Sequence, residues 1–261
     1  MNGTIRSLFT GAAIALLLSG CVGMGSDPDG ADELILVAGA SGRVGRYVIG
    51  HLDADRRAFR SLTRSQARAV ERWGPEYENM NWVEGDVRDA ERMREIMRGV
   101  TEVICVIGSR QTKGDNSAEF VDYGGVVNLV DAAVDEGVRH FVLLTAIGVT
   151  DPKHPFNKAT KGALEWRYKG EKHLRASGLD YTIVRPAGLQ DRPAGKQGLK
   201  IEQGDDWKPL LRSTLSRDDL ALVLIESLDN PGTRNVSFEL ANDPELPPGD
   251  WRAQLAGLKP D

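Results

Sequence analysis

The chain has 261 residues, 41% hydrophobic and 27% charged, a composition that can bury one substantial core. Its 33 basic and 38 acidic residues give a formal charge of -5 and are scattered along the chain, so no basic stripe argues for nucleic acid. Two cysteines and four histidines without ligand-like spacing support neither a disulfide framework nor a zinc site.

Residues 1–20 read as a leader: Arg6 gives a short basic start, and Leu8 to Leu18 form an apolar run of signal-peptide length, too short to span a bilayer comfortably. The run ends in Leu18-Ser19-Gly20-Cys21, which resembles the bacterial lipobox and makes Cys21 the expected lipid-carrying first residue of a mature chain. On that reading the only membrane contact is this anchor, facing the periplasm, and residues 21–32 form a Gly/Asp/Ser-rich tether. The alternative is that Met24 is the true start, which leaves the protein cytoplasmic.

The first strand is expected over 34–38 and runs directly into Gly39-Ala40-Ser41-Gly42-Arg43-Val44-Gly45 and an amphipathic helix over 44–52. Strand, glycine-spaced turn and helix in that order form a dinucleotide-binding opening. Gly39 allows the tight turn, Gly42 lets bare backbone approach a pyrophosphate, and Gly45 lets the helix pack closely. The pyrophosphate would then lie on free N–H groups at the helix start, with Ser41, Arg43 and Val44 in the same turn.

Further strands are expected over 59–63, 81–84, 103–107, 141–145, 181–185 and 235–241, and helices over 90–97, 118–136, 160–177 and 217–228. Ser216, with Asp219 three residues on, caps the last helix. This alternation predicts an α/β fold, a Rossmann-like doubly wound parallel sheet in one domain over 33–243 with a small C-terminal substrate-side region. Residues 189–212, with Trp207 among polar neighbours, read either as a substrate flap or as a solvated loop, and 244–261 as a tail.

At the end of the second strand an NAD site usually offers a carboxylate to the ribose hydroxyls, about 20 residues past the glycines. Here the sequence reads Leu62-Thr63-Arg64, and a guanidinium grips a 2′-phosphate instead, so NADP is expected over NAD, with Arg43 a second cation. NAD stays open if both arginines are solvated surface residues. In Gly85-Asp86-Val87, Asp86 is a candidate acceptor from the adenine amine with Val87 beside it; the alternative for Asp86 is a plain turn residue. Gly108 presents a small residue where the fourth strand ends, and Cys105 reads as a buried small hydrophobe.

Over about 33–243 the chain resembles an atypical short-chain dehydrogenase/reductase, in the group of NmrA-like proteins and biliverdin/flavin reductases. The matching pieces are the Gly39/Gly42/Gly45 turn, Gly85-Asp86-Val87, Val121-Asp122-Tyr123-Gly124-Gly125, Asn128 to Ala133, Gly137 to Val142 and Gly178 to Pro186. The resemblance implies NAD(P) binding, with Pro186 bordering the nicotinamide. It also implies a catalytic tyrosine, a lysine four residues on and a preceding serine. Tyr168 and Lys172 have that spacing, but the family's glutamate and leucine fit Glu171 and Leu174, which moves the two slots to Ala163 and Arg167. One residue of shift turns Tyr168 and Lys172 by roughly 100° from the catalytic face. The serine slot falls near Thr145, so Thr145, Tyr168 and Lys172 are the only catalytic candidates this frame offers.

Chemistry without that acid suits an acceptor that draws its proton from water. The expected function is therefore an NADP(H)-dependent oxidoreductase passing hydride to a small planar acceptor, such as a flavin or quinone. The alternatives are a nucleotide sensor or scaffold without chemistry, as some NmrA-like relatives are, and a sugar-nucleotide epimerase. The substrate and the oligomeric state stay open, although many relatives pair subunits through the helices corresponding to 118–136 and 160–177.

Overall fold

The computed structural model describes residues 33–207, 213–249 and 251–261. The leader-like run, Cys21 and the tether lie outside the described residues. Among the described residues no helix is long and apolar enough to cross a membrane.

Residues 33–261 form one compact unit. In chain order its elements are β1 (Ile35–Ala38), α1 (Gly45–Ala54), β2 (Phe59–Thr63), α2 (Gln66–Trp73), β3 (Trp82–Glu84), α3 (Ala90–Met97) and β4 (Glu102–Cys105). A π-helical segment, Glu119–Gly125, then leads into α4 (Val126–Glu136), β5 (His140–Leu144), α5 (Pro155–Ala159), α6 (Ala163–Ala176) and β6 (Tyr181–Pro186). The last part holds β7 (Gly188–Gln190), β8 (Gly198–Glu202), β9 (Thr214–Ser216), α7 (Arg217–Asp229), β10 (Val236–Asp243) and α8 (Trp251–Ala256).

The main sheet has the order β3-β2-β1-β4-β5-β6-β10-β8, parallel throughout except for β8, which runs antiparallel to β10. Alternate residues of each strand face opposite layers, and the central strands β1, β4, β5 and β6 place apolar residues on both sides. Ile35 and Val37 join Ile104, Val142, Val184 and Phe238 under α1 and α7. Leu36 and Ala38 join Val103, Cys105, Phe141 and Ile183 under α3, α4 and α6. The expected doubly wound parallel sheet is the one observed. Because the chain leaves β1 toward β2 on one side and returns as β4 on the other, a crevice opens beyond the strand ends between β1 and β4, where such sheets bind ligands.

Several elements differ from expectation. The region 189–212 contributes β7 and β8, and Trp207 is buried against Ile147, Ala187 and Ala241, so its indole belongs to a small core of its own. The 244–261 segment is more than a tail: α8 seats Trp251 and Leu255 in the core, and the Asp261 side chain accepts from Tyr181, Ser237 and Arg175. Ser216 does cap α7, accepting from the N–H groups of Asp218 and Asp219, but Asp219 does not close the reciprocal half of the box. Its carboxylate accepts from Gly195 N–H at 2.8 Å and from Asn242 at 3.0 Å, which fastens the loop after β7 to α7.

Candidate dinucleotide site

β1 delivers the chain to Gly39 at φ +90°, a left-handed conformation that favours glycine. A side chain there would also meet Val106 O at 2.9 Å, because the tip of β4 presses against the turn. Gly42 N–H closes the turn onto Gly39 O at 2.9 Å. Gly45 has a role different from the expected packing on the sheet. A Cβ on it would stand 2.3 Å from Gly39 O and 2.6 Å from Ala40 Cα, so it lets the first turn of α1 close on the loop itself. Gly42 meets only Gly39 O, at 3.0 Å, which leaves its outer side open. Val44 begins α1 without a side-chain cap, and the first turn carries no acidic residue, so the helix start is free to accept an anion.

The turn is braced from the side. Thr63 Oγ1, at the tip of β2, lies 3.0 Å from Ser41 Oγ, and the Trp73 indole N–H donates to Ser41 O at 2.9 Å. The bracing helix α2 has a legible start, since Ser65 accepts from Arg68 N–H as an N-cap. Between turn, β2 tip and α2 lies a cavity of about 540 Å³ lined by Ser41, Thr63, Arg64, Arg68 and Arg72, with Glu71 the one carboxylate. Arg64 is exposed and donates to Asn116 Oδ1 at 2.9 Å, and Arg43 is exposed on the turn. Arg68 and Arg72 were missed from the sequence together with α2; the arginine spacing of four from Arg64 was the available signal.

Asp86 sits in the turn before α3, with Arg88 N–H donating to its Oδ1 at 3.1 Å. The Arg88 guanidinium forks onto both of its oxygens at 2.9 and 2.6 Å and, with that hydrogen bond the largest influence, holds its pKa below the usual carboxylate value. Val87 O accepts from Asn128 Nδ2 at 2.9 Å, and a Cβ on Gly125 would stand 2.6 Å from the Val87 side chain, so this loop is tied to the α4 side.

Beyond β4, Gly108 lies against Arg167, whose Nη2 would stand 3.4 Å from a Cβ at Gly108. Arg167 Nε donates to Asp122 Oδ1 at 2.7 Å, and Ser109 N–H donates to Asp122 Oδ2 at 2.7 Å. Neither contact was foreseen, because the π-helical register that aims Asp122 leaves no mark in the sequence pattern.

The three catalytic candidates have different surroundings. Thr145 is buried and bonds to Glu171, which is fully buried with Arg185. Ala163, Gly170, Glu171 and Leu174 form the buried face of α6, and Lys172 lies off that face, exposed, with its ammonium 5.1 Å from the Tyr168 ring centre. Pro186 ends β6 in the core layer, its carbonyl accepting from Ile147 N–H. Burial pushes the Cys105 thiol up to about 12, so it is an inert core residue.

These features find counterparts in known proteins. The profile of the NAD(P)H-binding family matches residues 39–231. An uncharacterised chloroplast protein of Arabidopsis thaliana is 30% identical over 244 residues, covering 84% of this chain and 73% of the relative. Sanguinarine reductase of Eschscholzia californica is 27% identical over 248 residues, covering 81% of this chain and 89% of the relative. Among solved structures, an anaerobilin reductase of Escherichia coli O157:H7 superposes with a TM-score of 0.66 at 23% identity, covering 83% of this chain and 100% of that one. With the glycine turn, the switch-point crevice and the family profile in agreement, the chain belongs to the NAD(P)H-binding family of Rossmann-like proteins.

Proposed function

We propose that the protein is an NADP(H)-dependent oxidoreductase acting on a small planar acceptor such as a flavin or quinone. The observation that carries this reading is the arginine-lined cavity beside the glycine turn. Three guanidiniums against one carboxylate make a net positive pocket, and the doubly charged 2′-phosphate distinguishes NADP(H) from NAD(H). The N–H groups at the start of α1 hold the pyrophosphate, while Gly42, open on its outer side, gives the backbone its close approach.

When bound, the dinucleotide supplies the hydride, and the chain contributes proximity and orientation. Among the described residues the expected slots offer no free general acid, since Thr145 is tied to Glu171 and Tyr168 is not part of the buried face of α6. An acceptor that takes its proton from water fits that arrangement. Sanguinarine reductase and anaerobilin reductase, by their names, reduce small molecules, which favours the same class here.

The same missing acid favours a second reading, a dinucleotide sensor that performs no chemistry. NADPH oxidation measured with a panel of flavins, quinones and simple carbonyls separates the two. Turnover with flavins or quinones supports the enzyme, and tight NADPH binding without turnover across the panel supports the sensor.

A further inference from the structure

We infer that Asn116, on the loop that leaves β4, is a specificity-determining residue: its side-chain carbonyl holds the Arg64 guanidinium in place for the 2′-phosphate of the coenzyme. The inference rests on the NADP(H) reading above and adds to it a residue 52 positions away in sequence.

Arg64 ends on the tip of β2 with an exposed side chain, and a long exposed side chain loses rotamer freedom when it grips a ligand. A contact that orients it beforehand removes part of that cost. Arg64 Nη1 donates to Asn116 Oδ1 at 2.9 Å, and among the described residues this is the guanidinium's one hydrogen bond. Its remaining N–H groups are left for an anion, and Arg64 lines the same cavity as Arg68 and Arg72. The acceptor is an amide, so it orients the cation without neutralising it. A guanidinium pinned in this way discriminates between the coenzymes, because only NADP(H) carries a 2′-phosphate for it to grip.

Asn116 can hold Arg64 because it is itself held. Residues 110–115 are exposed, yet Asn116 is half-buried and Ser117 is buried. The Ser109 hydroxyl donates to Asn116 O and accepts from Gln111 N–H at 2.9 Å. Ser117 N–H donates to Gly114 O at 2.9 Å, and Gln111 and Ser117 pair in a β-bridge that closes the loop on itself. Ser109 is anchored in turn, its own N–H donating to the buried Asp122 carboxylate at 2.7 Å. From the turn before α3, Arg88 Nη1 donates to Asp115 O at 3.0 Å while its Nε and Nη2 hold Asp86. The loop is therefore fastened, at two consecutive residues, to the two segments that carry the adenosine-side candidates Arg64 and Asp86. Asn116 acts through Arg64 and is a positioning residue for it.

Calorimetric titration of the full chain with NADPH and NADH tests this, with melting curves to report whether each variant is folded. Asn116→Ala should lower the NADPH-to-NADH affinity ratio by about tenfold, the loss expected for a hydrogen bond to a charged group, with NADH affinity unchanged. Asn116→Asp should lower the ratio further, because a carboxylate there neutralises Arg64 and repels the phosphate. In an Arg64→Ala chain, Asn116→Ala should change neither affinity, since no guanidinium is left to orient. A ratio that Asn116→Ala leaves unchanged or raises overturns the inference. So does an equal loss for both coenzymes, or a loss that persists in the Arg64→Ala chain, either of which marks a role in the loop alone. A wild-type chain without preference for NADPH overturns the NADP(H) reading together with the inference, so the two failures are distinguishable.

Discussion

The Thr145 hydroxyl donates to Glu171 Oε1 across 2.6 Å, and the same carboxylate receives Arg185 through Nε at 3.1 Å and Nη2 at 2.7 Å. Arg185 continues to Glu239 Oε1 at 3.1 Å, and Arg175 reaches Glu171 Oε2 at 3.1 Å. A hydroxyl has one proton, so Thr145 has none left for a substrate in this arrangement. Its work is to help satisfy a carboxylate inside the core. Thr145→Val should therefore cost about 1–3 kcal/mol in urea unfolding with little change in turnover per folded molecule. Glu171→Leu, which leaves the buried Arg185 with Glu239 as its remaining carboxylate partner and takes one partner from Arg175, should cost about 3–5 kcal/mol.

The tightest contact in the glycine turn is at Gly45, where an added methyl would stand 2.3 Å from Gly39 O and 2.6 Å from Ala40 Cα. Both neighbours are backbone and cannot swing aside. Gly45→Ala should push α1 away from the turn and weaken dinucleotide binding by at least about tenfold, roughly 1.4 kcal/mol. Fluorescence titration with NADPH checks this, with Gly50→Ala as the control, because Gly50 lies in the same helix and a Cβ on it would stand in open space.

How much of this was readable in advance follows from the kind of signal each part leaves. The strand into Gly39 and Gly45 was legible because apolar run, glycines and helix are all local. Arg64 was legible because it ends the second strand. Helix α2 was not, because Gln66–Trp73 buries only Ala69 and so shows little apolar periodicity, and the arginines it carries were missed with it. β8 mixes Gly198, Lys200 and Glu202 into an edge strand, which reads as loop. The Asp122–Arg167 pair joins positions far apart in sequence through a helical irregularity that residue spacing does not announce.

Two buried groups set opposing pH trends. Burial first, and then the charge of Glu33, push the Glu102 carboxyl up to about 7 against the pull of Arg57 and Arg139. An unfolded glutamate titrates near 4.3, so the stability this group contributes is present below that value and is lost as pH rises through about 7. Burial holds His140 down to about 4, against about 6.5 unfolded, so its contribution is present above 6.5 and lost as pH falls through about 4. The trends offset each other between about pH 5 and 6.5. Glu102→Gln should unmask the histidine, giving stability that climbs more steeply with pH in that window than in wild type. Unfolding curves at several pH values check this, and identical slopes would contradict it.

We also propose that Cys21 carries a lipid, on the strength of the Leu18-Ser19-Gly20-Cys21 pattern. Bacteria producing the full chain and fed a labelled lipid precursor should incorporate label into the protein, and Cys21→Ala should abolish it. Absence of label on the wild-type chain sinks the proposal.

The proposed NADP(H) preference depends most on the arginine pocket beside the turn, and calorimetric titration with NADPH and NADH tests it directly. The wild-type chain should bind NADPH at least about tenfold tighter than NADH, about 1.4 kcal/mol, and Arg64→Asp should remove that preference. Equal affinity for both coenzymes, or a preference that Arg64→Asp and Arg68→Ala/Arg72→Ala leave untouched, would contradict it.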